Sequence, residues 1–247
     1  MKHTNNRLLS LLLAAVCLCG LLTACTEKPQ ETPGEEAKYD YLVLVNKQNK
    51  LPDDWESVVV LEDAQNTLPE GIELNENNDY LATDVFKVET KTLEAFRALQ
   101  EDCANDGITI LLDSTYRSVA RQEELWAEFA EKYGEDYCKQ YVAVPGYSEH
   151  HTGLVIDICV IKDGKIINDN DEMIAERDLF AKIHEKLADH GFILRYLEGK
   201  DDSTGYAYEP WHFRFVGSPE IAKEIMDKGL TLEEYLTLST QAQNPNK

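Results

Sequence analysis

The chain has 247 residues and sets 24 Lys and Arg against 46 Asp and Glu, a formal net charge of −22 at pH 7. It holds no basic run that could track a phosphate backbone, which excludes a nucleic-acid-binding function. An acidic surface of this kind also avoids adhering to anionic polymers.

The first stretch concerns address rather than fold. Lys2 and Arg7 precede an apolar run from Leu8 to Leu22 that ends at Leu22-Thr23-Ala24-Cys25. A charged start, a short apolar core and small residues before a cut describe a secretory signal, too short for an ordinary spanning helix. The cysteine at the cut resembles a bacterial lipobox. That predicts removal of residues 1–24, a lipid on Cys25, and a protein held by acyl chains to the outer face of a membrane. Losing Lys2 and Arg7 takes the net charge from −22 to −24. Residues 25–38, with Pro29, Pro33, Gly34 and several Glu, read as a flexible tether. Residues 39–238 then suit one domain with a hydrophobic core, and 239–247 read as a disordered tail. Beyond the signal and Cys25 only Cys103, Cys138 and Cys159 remain. Three cysteines allow at most one disulfide, and their spacing fits no zinc–thiolate motif.

Within the domain, Tyr41–Val45 and Val58–Leu61 read as short strands around a loop with Pro52 and Trp55. Val88, Leu93, Phe96, Leu99 and Cys103 form a near-helical stripe that starts near Asp84 and closes at Gly107. Ile108–Leu112 is a strand that delivers Ser114–Ser118 at its end. Arg117 stands out there, because a planar guanidinium can grip a carboxylate or a developing oxyanion with two parallel bonds. A helix follows to about Tyr133, with Gln122 facing the same cleft and Leu125, Trp126 and Phe129 read as core.

The next stretch carries the chemistry. Pro145-Gly146-Tyr147-Ser148-Glu149-His150-His151-Thr152-Gly153 leads into Leu154–Ile161, apolar except for Asp157 and Cys159. A lone carboxylate in a strand buried on both faces is costly unless it is paired or holds a metal. Glu209-Pro210-Trp211-His212 supplies a further imidazole and a spare carboxylate, at the entrance of a strand alternating His212, Arg214 and Val216 against Phe213 and Phe215. A hydrolytic zinc ion needs about three protein ligands and an open position. His150, Asp157 and His212 fill the three places, with His151 the alternative to His150. Glu209 then serves as the base that takes a proton from water and passes it to the leaving amine. Ser148 faces the same cleft.

After this, Lys162-Asp163-Gly164-Lys165 predicts a hairpin to Ile166-Ile167, and Asp169–Glu172 a polar loop. Leu179, Phe180, Ile183 and Leu187 mark a helix closed by Gly191, in which His184 and His190 are structural. Phe192–Tyr196 is a strand and Lys200–Gly205 a polar turn. Ser218-Pro219 starts a short helix, and Thr231-x-x-Glu234 is a capping box for the last one.

Several spaced blocks resemble one family. Ser148-Glu149-His150-x-Thr152-Gly153-Leu154-x-x-Asp157 and Glu209-Pro210-Trp211-His212-x-Arg214-x-Val216-Gly217 are similar to the two signature motifs of the zinc D-alanyl-D-alanine carboxypeptidases, in their VanY-like branch. So are Ser114-Thr115-Tyr116-Arg117-Ser118 with Gln122, Leu42–Lys47, and Gly191–Tyr196. The likeness spans Tyr39 to Leu236. His151 stands where Gln is usual, Val155 where Ala is usual, and Leu197 and Ser203 replace a Pro and an Ile. The resemblance implies an α+β fold shared with the hedgehog signalling domain, a mostly antiparallel sheet carrying the zinc site. It implies removal of the terminal D-alanine from peptidoglycan stem peptides, with Arg117 serving the substrate or the transition state. Gln122, Ser148 and His151 would bind substrate, and the chain is expected to be a monomer. L,D-carboxypeptidase or endopeptidase action on the same stems, a non-catalytic cell-wall binding module, and a purely structural zinc are the competing readings.

Overall fold

The computed structural model describes residues 40–136, 138 and 142–243. The signal, Cys25 and the tether expected for residues 1–38 lie outside these, as does the end of the tail. The described residues belong to one compact unit, Ala37–Lys247.

The sheet is built around β4 (Val155–Lys162), which is antiparallel to β3 (Thr109–Ser114) on one side and to β7 (His212–Phe215) on the other. β6 (Phe192–Leu194) continues the order beyond β7. β5 (Lys165–Ile167) returns on β4 through the expected hairpin, with Asp163 and Gly164 at φ 52° and 76°. Two successive positive φ values are the turn whose twist matches the flanking strands. Alternation along β4 sends Ile156, Ile158 and Val160 into the main core and Asp157 to the opposite face. Helices α3 (Thr90–Asn105) and α6 (Arg177–Leu187) cover the core face through Leu93, Phe96 and Leu99 and through Phe180, Ile183 and Leu187. The expected α+β architecture with an antiparallel sheet is the one found.

Several local expectations are corrected. Tyr41–Val45 forms no ladder, because the Arg214 guanidinium takes the carbonyls of Tyr41 and Val43, each at 2.8 Å. Trp55–Val58 is a helical turn (α1), and the strand follows it as β1 (Leu61–Ala64). A turn of helix (α2, Tyr80–Thr83) comes next, and Val88 lies in β2 (Phe86–Glu89), which pairs with β1. Phe86 and Val88 bury while Lys87 is exposed, a period of two that stops where Glu89 caps α3 by accepting from the Thr92 amide. In α4 (Val119–Tyr133) only Gln122 is buried, so Leu125, Trp126 and Phe129 are half-exposed rather than core.

Asp169–Glu172 begins a helix, α5 (Asn170–Ala175), because the Asp169 carboxylate caps the amides of Asp171 and Glu172. Lys200–Gly205 holds a turn of helix, α7 (Asp201–Thr204). α8 (Pro219–Asp227) starts on the Ser218 cap. The Thr231–Glu234 capping box forms in both directions, at 2.9 and 3.2 Å, and opens α9 (Leu232–Gln243). That helix carries past Ser239, so the tail is ordered through Gln243. Cys103, Cys138 and Cys159 are buried free thiols. Among the described residues no helix is long and apolar enough to cross a membrane.

Candidate metal centre and catalytic cleft

The register of the sheet assembles the site. Asp157 pairs with Ser114 of β3 across one edge and with His212 of β7 across the other. His150 arrives from a 3-10 turn, Glu149–Thr152, joined to β4 by Gly153 at φ 72°. That left-handed φ favours glycine, and a Cβ there would also lie 2.8 Å from Leu61 Cδ2.

One ligand atom from each of His150, Asp157 and His212 lies within 4.8 Å of the other two. His150 Nε2 is 3.2 Å from Asp157 Oδ2, and His212 Nδ1 is 2.8 Å from Asp157 Oδ1. Despite that close approach the geometry is not that of a hydrogen bond, and Asp157 Oδ1 is a buried oxygen without a donor. Ligands held about 2.0–2.2 Å from one tetrahedral ion stand roughly 3.3–3.6 Å apart, so the donor set fits a divalent cation.

The outer contacts aim the ligands. His150 Nδ1 donates to the Thr115 carbonyl at 2.7 Å, leaving Nε2 to face Asp157. His212 Nε2 lies 3.3 Å from Glu149 Oε2, leaving Nδ1 for the cleft. Glu149 is buried and accepts from Arg195 Nε at 2.9 Å and Arg214 Nη1 at 2.6 Å. Burial alone would raise its pKa, but the two guanidiniums hold it well below the usual carboxylate range. Asp157 is depressed in the same sense, burial being outweighed by His150 and His212. Burial pushes His150 down. For His212 burial acts downward, but Asp157 and Glu149 prevail and push it up to about 10.

Glu209 sits at the cleft edge, its side chain 28% exposed and its Oε2 3.6 Å from His212 Nδ1. Its amide donates to the Tyr196 carbonyl at 3.2 Å, and His184 Nε2 donates to the Pro210 carbonyl at 2.8 Å, which fixes the loop. Burial raises Glu209 to about 7, with His212 opposing and Asp157 and Glu149 adding. A cation on the nearby ligands would favour its charged form. A cleft of about 250 Å³ is lined by Glu209 together with Arg117, Ser148, His150, Asp157 and His212.

The remaining expected site residues divide. Arg117 Nη1 donates to Gln122 Oε1 at 2.9 Å and Nη2 to Ser114 Oγ at 3.3 Å. Gln122 spends its amide nitrogen on the Ala143 carbonyl at 2.8 Å, so it mounts Arg117 and does not line the cleft. His151 is a correction: it is fully buried, Nδ1 donates to the Arg117 carbonyl at 2.5 Å, and Nε2 accepts from the Gly146 amide at 3.1 Å. Both nitrogens are committed to backbone, which leaves none for a metal or a substrate. Sequence reasoning assigned nothing to Glu149, Arg195 or Arg214. The available signal was an arginine at the end of the apolar run Phe192–Leu194 and another between Phe213 and Phe215, each of which demands a counter-charge if buried.

Residues 85–218 match the VanY family, described as D-alanyl-D-alanine carboxypeptidase. The chain belongs to the VanY family. VanXYC of Enterococcus gallinarum, a bifunctional D-Ala-D-Ala dipeptidase and D-Ala-D-Ala carboxypeptidase, is 43% identical over 128 residues, 51% of this chain and 65% of that protein. Among solved VanY-type structures, a mutant of the vancomycin-resistance D,D-pentapeptidase VanY from a VanB-type cassette, in complex with Zn(II), aligns with TM-score 0.60 and 28% identity. It covers 79% of this chain and 98% of its own. The LD-carboxypeptidase LdcB aligns with TM-score 0.61 and 31% identity, over 80% of this chain and 86% of its own. The chain spans just under two thirds of the length of the first curated relatives it matches, 66% and 65%.

Proposed function

We propose that this VanY-family chain is a zinc-dependent carboxypeptidase that removes the C-terminal D-alanine from peptidoglycan stem peptides. The observation that carries the reading is that His150, Asp157 and His212 bring one ligand atom each within 4.8 Å of one another, with Asp157 Oδ1 buried and without a donor and Glu209 beside them. A zinc ion bound by these three supplies Lewis acidity, making a water acidic and polarising a carbonyl.

The rest of the chemistry belongs to the chain. Glu209 takes the proton of the attacking water and returns it to the departing amine. Arg117, held by Gln122 and Ser114, binds the substrate carboxylate or the oxyanion that forms at the scissile bond. Ser148 contributes a buried hydroxyl to the same wall. Glu149 keeps His212 in the tautomer that offers Nδ1.

An L,D-carboxypeptidase reading has a specific observation in its favour, since LdcB is as similar in fold as the VanY structure. Pentapeptide and tetrapeptide stems, each followed by mass spectrometry, separate the two. The D,D reading expects loss of one alanine from the pentapeptide and an intact tetrapeptide, and the L,D reading expects the reverse.

The setting belongs to the proposal. Residues 1–24 act as a signal, lipidated Cys25 and residues 26–38 tether the domain to the extracytoplasmic face of a bacterial membrane, and the monomer works on wall peptides there. Metabolic labelling with a palmitate analogue, lost in Cys25→Ser, tests the anchor.

A further inference from the structure

The cleft holds one more carboxylate, Asp113, to which the reaction above gives no task. It sits at the irregularity in β3, where the register with β4 shifts between Leu112 and Ser114. The shift re-aims the side chain, as bulges beside active sites commonly do. The Tyr80 hydroxyl donates to Asp113 Oδ1 at 2.5 Å, and the Asn168 amide donates to the Tyr80 oxygen at 3.3 Å. These bonds pin the group in place and leave its charge uncompensated. Among the described residues Asp113 makes no ion pair with a cationic side chain, and its bonded partner, the Tyr80 hydroxyl, is neutral.

A carboxylate that lines a cleft beside Asp157 and has no cation of its own describes a site that accepts a cation from outside. Asp157 meets that expectation with the metal, and Asp113 does not share those ligands. We propose that Asp113 is a specificity-determining residue that receives a primary ammonium group of the substrate, upstream of the scissile bond. The proposal rests on the carboxypeptidase reading.

The two groups are mounted separately. Arg117 is fixed by Gln122 and Ser114, whereas Asp113 is fixed by Tyr80 and Asn168, and no hydrogen bond or ion pair joins them. With the terminal carboxylate at Arg117 and the scissile carbonyl at the ligands, Asp113, in the same cleft, is assigned to the upstream end of the peptide. Beyond Asp113 the chain turns at Asn168–Asn170. Asn170 lines the cleft, and Asn168 and Asp169 line a separate polar trough of about 770 Å³ that also includes Asn78, Lys165 and Glu172. The ammonium can come from two sources, the free α-amine of a bare dipeptide or the side chain of a diamino acid in a longer stem.

The test uses the full chain loaded with zinc, and Asp113→Asn, whose amide oxygen still accepts from Tyr80. Substrates are an α-acetylated Lys-D-Ala-D-Ala with the ε-amine free or acetylated, and D-Ala-D-Ala with its amine free or acetylated. Removal of a charge from a charged hydrogen bond predicts a loss of about tenfold or more in kcat/KM on one free-amine substrate. The acetylated partner should change by less than about twofold. Whichever free-amine substrate loses identifies the source. Equal losses within both pairs, or no loss in either, overturn the assignment. The same contrast is read without turnover by calorimetry of peptide binding to Glu209→Gln and to its Asp113→Asn double variant. A preserved contrast in binding with no cleavage by the parent chain condemns the peptidase reading alone, and an absent contrast in binding overturns the role of Asp113.

Discussion

Glu149 and His212 meet at 3.3 Å, carboxylate oxygen to Nε2, and both are buried. That contact decides which imidazole nitrogen is left for the converging ligand set, and Glu149 is not itself one of the three ligands. Its other oxygen is shared by Arg195 and Arg214, and Arg195 is in turn held by Glu233 of α9 at 2.6 and 2.9 Å. Two carboxylates and two guanidiniums thus balance in the interior.

Glu149→Gln breaks the balance and leaves two buried guanidiniums with one counter-ion. The expected cost is about 3–5 kcal/mol of stability. Metal affinity should also fall about 10- to 100-fold, the usual effect of losing an outer contact to a ligand. Thermal unfolding and competition with a chelator measure the two effects, and unchanged values in both would remove Glu149 from the account.

Glu209→Gln should separate binding from chemistry. The amide keeps the size of the side chain and cannot take a proton, so turnover should fall about 10²- to 10⁴-fold. Zinc content, read by elemental analysis, should stay at the level of the parent chain, because Glu209 is not among the three converging ligands.

Metal binding should release protons at pH 7. In the metal-free protein His212 is raised to about 10, so it is protonated at neutral pH, and the ion needs its Nδ1 free. Glu209, near 7, loses part of a proton as well when a cation arrives. The expected release is between about one and two protons per ion. Calorimetry in buffers of different ionisation enthalpy reads this number. The sign for stability follows from the raised value. The contribution of His212 to the metal-free fold is complete below its unfolded value of 6.5 and is lost as the pH climbs through about 10. Metal-free protein should therefore lose stability between these limits more steeply than zinc-loaded protein.

His151 and Gln122 hold opposite ends of Arg117, one at its carbonyl and the other at its guanidinium. Gln122→Ala should raise KM about tenfold with a smaller change in kcat, since Arg117 stays in the cleft but loses its aim. His151→Gln can still donate to one backbone group and accept from the other, so it should keep most activity, whereas His151→Leu should not. Steady-state kinetics on one stem peptide decides both.

The legible parts of this fold were those set by local pattern. The buried run of β4, the Asp163-Gly164 turn and the Thr231–Glu234 box each announce themselves within a few residues. So did the candidate ligands, because a carboxylate inside a buried strand requires a partner. What stayed hidden depends on contacts distant in the chain. Tyr41–Val45 has the composition of a strand, but a guanidinium more than 170 positions away takes its carbonyls. Glu149 is one carboxylate among many until Arg195 and Arg214 close on it. His151 follows His150 directly, and only the 3-10 turn shows that one imidazole faces the cleft while the other faces backbone.

The most direct test is a zinc titration of the chelator-stripped full chain, with bound metal and released D-alanine measured in the same samples on a pentapeptide stem. Release should rise in proportion to bound zinc, stop at one ion per chain, and be abolished together with tight binding in His150→Ala, Asp157→Ala and His212→Ala. Release that persists without metal, or tight zinc binding that survives loss of any of these three side chains, would contradict the site described here.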